Sequence, residues 1–100
     1  MIAVVNRLPV KEGMADRVVE RFAGGRGFVQ QFPGFVNMEV LHSEEEVVVI
    51  TRWEDKEAFD SWVHSEQFAK VHGRGAGSGL LRGHPKMSSY SVAVERVPEA

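Results

Sequence analysis

The sequence predicts an α+β fold in which residues 1–100 form one domain with elements in the order β-α-β-β-α-β. Three observations predict it. Four short runs rich in β-branched residues are bounded by turn formers and read as strands. Two stretches between them carry apolar residues at helical spacing. The middle two strands are separated only by Ser43 to Glu45, close enough for an antiparallel hairpin. A split β-α-β-β-α-β chain folds as a ferredoxin-like domain, a four-stranded antiparallel sheet with two helices on one face.

Taken in order, "IAVVNRL" (Ile2 to Leu8) is the first strand and ends at Pro9. "KEG" turns the chain. From Met14 the apolar residues fall at Val18, Val19 and Phe22, as a helix requires. Gly24, Gly25 and Gly27 weaken that helix in its middle, each by up to ~1 kcal/mol against alanine. "FPGF" (Phe32 to Phe35) ends it. "FVNMEVLH" and "EVVVITRW" form the hairpin. Glu54 or Asp55 can cap the next helix. "KEAFDSWVHSEQFAKVH" carries that helix, with room for a fresh start at Ser65, and Gly73 suits its C-terminal stop. "GRGAGSGLLRGHPK" reads as a mobile, glycine-rich loop. "MSSYSVAVERV" is the last strand.

Both faces of the sheet are apolar. Val47 and Val49 alternate with Val48 and Ile50; Ile2 and Val4 oppose Ala3 and Val5; Phe35 and Leu41 oppose Val36, Met38 and Val40. Two helices cover one face only. The other face needs a second copy, which makes the expected assembly a homodimer, a dimeric α/β barrel closed by the two sheets. A chain of 100 residues buries only about two-thirds of its unfolded surface and gains from such association.

The composition excludes several classes. A net charge of −2 without a clustered basic run gives no footprint for nucleic acid. The absence of cysteine removes disulfides, thiolate metal sites and thiol nucleophiles together. No signal-peptide pattern opens the chain, and no apolar run approaches the ~18 residues of a membrane span. A soluble cytoplasmic protein is expected. The glycine-rich loop lacks G-x-G-x-x-G and follows a helix, so it is not a nucleotide cradle. No serine sits in a strand-to-helix elbow, so serine-nucleophile chemistry fails too.

Three residues stand out. Asn6 interrupts an apolar strand on the face of Ile2, Val4 and Leu8. Left without partners, a buried amide costs roughly 1–3 kcal/mol, so it is either satisfied locally or aimed into a pocket. Trp62 shares a helical stripe with Phe59 and Val63, a pattern that reads as core. His72 ends a face that holds Phe68 and Ala69. One histidine without neighbouring ligands does not make a zinc site. It reads as a packed, hydrogen-bonded histidine or as a ligand, and a lone histidine can be the single axial ligand of a heme, because the porphyrin supplies four of the bonds. His64, His42 and His84 read as surface, turn and loop residues.

The chain resembles the IsdG-type heme-degrading monooxygenases of the antibiotic biosynthesis monooxygenase superfamily. "NRLPVKEG", "ERFAGGRGFVQQFPGF" and above all "TRWEDKEAFDSWVHSEQFAKVHG" carry the resemblance, which spans nearly the whole chain. The heme-degrading branch joins an asparagine in the first strand, a tryptophan in the second helix and a histidine at that helix's end, matched here by Asn6, Trp62 and His72. The glycine-rich loop after His72 and the "GGRG" in the first helix depart from the family's pattern. Arg26, Arg74 and Arg82 are the basic candidates for the heme propionates.

The resemblance implies a heme that is both substrate and cofactor, cleaved with O2 and electrons from an external donor, with release of iron. His72 would hold the iron through a neutral nitrogen. Asn6 would offer a hydrogen bond to oxygen on the opposite side. Trp62 would press the ring out of plane, with Phe22 and Phe68 as further ring contacts. Along an unbroken helix, Trp62 and His72 would stand ~15 Å apart. The chain holds no flavin or nicotinamide motif, so an unknown reductase is implied. Two other readings stay open: a cofactor-free monooxygenase acting on a phenol or quinol, and a non-catalytic heme-binding module.

Overall fold

The computed structural model describes residues 1–24, 28–72 and 78–99; the side chains of residue 28, residues 70–72 and residue 78 are not described. The chain runs β1 (Ile2–Pro9), α1 (Ala15–Gly24), a 3-10 turn (Phe28–Gln31), β2 (Phe35–His42), β3 (Glu46–Trp53), α2 (Lys56–Val63), α3 (Glu66–His72), a second 3-10 turn (Ser78–Leu80) and β4 (Lys86–Ser91). The strands form one antiparallel sheet in the order β2-β3-β1-β4. The α+β ferredoxin-like architecture expected from the sequence is present.

β1 is central and sets the register. Asn6 stands opposite Val49 of β3 on one side and Met87 of β4 on the other. Side chains alternate across a strand, so Val4, Asn6 and Leu8 share a face with Val47, Val49, Thr51 and Trp53. That face carries the helices: α1 packs over β2 and β3, and α2 over β3. Its core has two parts. Leu8, Val10, Ala15, Val18, Val47 and Val49 form an aliphatic cluster under α1. Val4, Trp53 and Trp62 form an aromatic-rich cluster under α2 and α3.

Local chemistry sets the helix ends. Asp55, in extended conformation, caps α2 by accepting the Ala58 N–H at 2.8 Å. Ser65 restarts the helix: its Oγ accepts the Phe68 N–H at 3.1 Å and donates to the Trp62 carbonyl at 2.6 Å. The second helical stretch is therefore two helices, and the ~15 Å spacing of an unbroken one does not apply between Trp62 and His72. Gly34 makes the turn into β2 with φ +85°, and a Cβ there would collide with the Ala58 methyl.

Four expectations need correction. The first helix does not run on to Phe32; α1 stops at Gly24, where the glycines begin. β2 carries an irregularity between Phe35 and Asn37, which changes its phase. Phe35 therefore packs on Trp53 inside, while Leu41 pairs with Val48 on the far face. β4 ends at Ser91 and not near Val97; just past it, the Val92 N–H donates to the Met1 carbonyl at 3.0 Å. The glycine-rich loop is tied down at its far end: Lys11 N–H bonds the Leu80 carbonyl at 2.8 Å and Arg82 N–H the Pro9 carbonyl at 3.0 Å. Gly73, Arg74, Gly25 and Arg26 lie outside the described residues.

The second sheet face holds Ala3, Val5, Val48 and Ile50, half-buried, with Leu41 and Tyr90 exposed. Ion pairs stand at its ends, Arg7 with Glu46 at 3.4 Å and Arg52 with Glu39 at 2.6 Å. No helix among the described residues is long and apolar enough to cross a membrane.

Candidate active site

Asn6 lies at the seam of the two cores. Its β1 neighbours on the same face divide between them, Val4 into the aromatic cluster and Leu8 into the aliphatic one. Its side chain is half-buried, yet its Oδ1 is fully buried and without a hydrogen-bond partner. It is the only such side-chain atom among the described residues. Buried polar atoms are nearly always paired, and one left unpaired costs about 1–3 kcal/mol. Nothing in β3 or β4 opposite it can help, since Val49 and Met87 offer no donor side chain. The buried atom is an acceptor, whereas a bond to oxygen asks for a donor. A half-turn of the terminal amide exchanges Oδ1 and Nδ2 in nearly the same volume.

Trp62 is 6% exposed and lies among other rings. Trp53 stacks on it at 6.3 Å; Phe32 at 5.3 Å and Phe68 at 5.7 Å meet it edge-on. Trp53 is fixed in turn by its Nε1–H, which donates to Thr51 Oγ1 at 3.1 Å. Such ring pairs are worth about 0.5–1.5 kcal/mol each beyond burial. Trp62 is thus part of the core, held rigid, two residues along β1 from Asn6 through its contact with the Val4 cluster. Phe68 is partly buried on that same cluster, and Phe22 is partly buried on the aliphatic one. The two phenylalanines therefore belong to opposite sides of the seam.

His72 is the last residue of α3, and its side chain is not among those described. His64 is exposed at the end of α2, its Nδ1 against the Asp60 carbonyl at 2.8 Å. Among the described residues no three His, Asp or Glu side chains converge as a metal site. Sequence reasoning missed Arg17 and Arg21. They stand four apart on α1 and line an open groove of about 620 Å³ with Glu20 and Leu80. The signal was present in the spacing, because residues four apart share a helix face. Arg82 is exposed, and only its backbone is seen to bond.

The antibiotic biosynthesis monooxygenase family model matches residues 1–74. This chain belongs to that family. It is 38% identical over 86 residues to a heme-degrading monooxygenase of Listeria welshimeri, covering 74% of this chain and 71% of that one. A heme-degrading monooxygenase of Bacillus cereus is 34% identical over 105 aligned positions, covering 100% and 97%. Among solved structures, a Streptomyces coelicolor monooxygenase in complex with nanaomycin D superposes with a TM-score of 0.83 at 24% identity, over 98% of this chain and 92% of that one. The heme-degrader MhuD of Mycobacterium tuberculosis, with two hemes bound, gives 0.79 at 24% identity over 97% and 100%. At that identity the two structures speak for the fold, which they share although their ligands differ.

Proposed function

We infer that this family member is a heme-degrading monooxygenase, cleaving the porphyrin oxidatively and releasing iron. The observation that carries the reading is the unpartnered Oδ1 of Asn6. A carboxamide kept buried and unsatisfied between two apolar clusters lacks a structural reason and fits a ligand that completes it. Its β1 neighbours suit a flat, largely apolar ring: Leu8 belongs to the cluster on which Phe22 packs, and Val4 to the one that holds Phe68 and Trp62. Arg17 and Arg21 of α1, which line a groove with Glu20 and Leu80, are the basic candidates for its acidic edges. The names of the Listeria and Bacillus relatives support the same reading.

Heme, when bound, supplies both the redox iron and the ring carbon that O2 attacks. The chain's own residues supply binding and order. His72, at the end of α3, is assigned as the iron ligand through a neutral imidazole nitrogen. Asn6 would offer its carboxamide as a hydrogen-bonding group to the bound ligand. Trp62 acts as a rigid buttress behind Phe68, and the aromatic packing is what lets it resist the ring. Arg17 and Arg21 are assigned to the propionates. Electrons come from an external reductase of the cytoplasm. The working unit is a homodimer joined through the sheet face of Val5, Val48 and Ile50; the ion pairs at the ends of that face leave it free of net like-charge repulsion.

Hemin titration tests the reading. The wild-type protein should shift the Soret band to saturation, and His72→Ala should abolish the shift. A protein that leaves the hemin spectrum unaltered overturns the reading and turns attention to a phenol or quinol substrate.

A further inference from the structure

Among the described residues, one strip of the helix-bearing sheet face is open. α1 and α2 lie over β2 and β3, whereas β4 packs against β1 and all six of its residues are exposed. On that strip β4 presents Met87, Ser89 and Ser91, opposite Asn6, Val4 and Ile2. The serines suit water. Met87 does not: it is 59% exposed, the one large apolar side chain of the strip, and it stands directly across from the unsatisfied amide. Directly opposed residues in an antiparallel pair have Cβ atoms about 4.5–5.5 Å apart, so the thioether and the carboxamide share one space. An unbranched, polarizable thioether adapts to aromatic surfaces and gains from sulfur–ring contact.

We propose that Met87 is the wall of the ring site beside Asn6, and that it seats the tetrapyrrole in its own plane and so selects the edge that faces the carboxamide. The proposal rests on the heme-degrading reading. Met87 is a positioning residue: it holds the ring by contact and takes no part in electron or proton transfer. The seat is apolar at Met87 and polar farther along β4, where Ser89 and Ser91 continue the strip toward solvent.

Oxidation footprinting with zinc protoporphyrin, in the dark, reads the contact without turnover. Dilute hydrogen peroxide converts a thioether to the sulfoxide: sulfur takes one oxygen and loses two electrons, the O–O bond breaks, and water leaves. In the free protein Met87 should oxidise about as fast as Met1, which is 48% exposed. With zinc protoporphyrin bound, Met87 should slow by about tenfold while Met1 does not, since a covered sulfur is screened from peroxide. The second readout is the mixture of ring-opened isomers from hemin, oxygen and ascorbate. Met87→Ala should change their ratio severalfold, and Met87→Leu, of like volume, should restore it. Equal oxidation of Met87 with and without bound porphyrin overturns the contact. An unchanged isomer ratio in Met87→Ala overturns the seating role. Absorption bands that neither porphyrin moves in the wild type bring down the heme reading itself, and Met87 with it; bands that move while Met87 stays unprotected bring down Met87 alone.

Discussion

Replacing Asn6 with leucine should make the protein more stable while removing its activity. In the empty protein Oδ1 is buried without a partner, a state that costs about 1–3 kcal/mol. Asn6 is half-buried as a residue, which places its share at the lower end of that range. Leucine has a similar volume and meets apolar neighbours: Val4 and Leu8 along β1, Val49 and Met87 across it. The exchange should therefore stabilise the apo-protein by about 1 kcal/mol, or about 4–8 °C in Tm for a chain of this length. Thermal and urea unfolding at one fixed protein concentration measure it, since association also contributes to stability. Turnover of hemin should be lost in the same variant. This is the stability–function exchange expected at a site held in an unfavourable state for a ligand. A fall in Tm of several degrees would refute the reasoning, because it would mean that the amide is structurally satisfied.

Three further outcomes follow from the same geometry. Gly34→Ala should destabilise by about 1–3 kcal/mol, through positive φ and the collision with Ala58, and Ala58→Gly should relieve the steric part in the double variant, read by urea midpoint. Ile50→Glu places a charge in the middle of the second sheet face; if the proposed dimer forms there, sedimentation should show the parent as a dimer and the variant as a folded monomer, and a variant that sediments like its parent removes that face from the interface. Trp62→Ala should cost about 3–5 kcal/mol because its ring is embedded in the aromatic cluster. Its part in turnover is therefore better read in Trp62→Phe, which should keep hemin bound yet slow ring opening.

Much of this was legible in the sequence, for identifiable reasons. Strand alternation and the three-residue Ser43–Glu45 link sufficed for the sheet, and Asp55 and Ser65 announced the helix starts with side chains suited to capping. Asn6 was visible as a polar residue at an apolar register position. Its orphaned oxygen was not, because that depends on what β3 and β4 place beside it. The end of β4 was misread, since "SVAVERV" has strand composition throughout, whereas the pairing with β1 stops at Ser91 opposite Ile2. The β2 irregularity escaped because one extra residue reverses the faces without changing the apolar pattern. Trp62 was legible as core from its helical stripe, and the rings of Trp53, Phe32 and Phe68 around it show how firmly it is held.

The most direct measurement is aerobic turnover of the purified protein loaded with one equivalent of hemin and given ascorbate, with an iron chelator present. The Soret band should decay to that of a ring-opened product while about one iron per hemin is captured, and His72→Ala should do neither. A stable, reduced heme spectrum in air with no iron released would contradict the account.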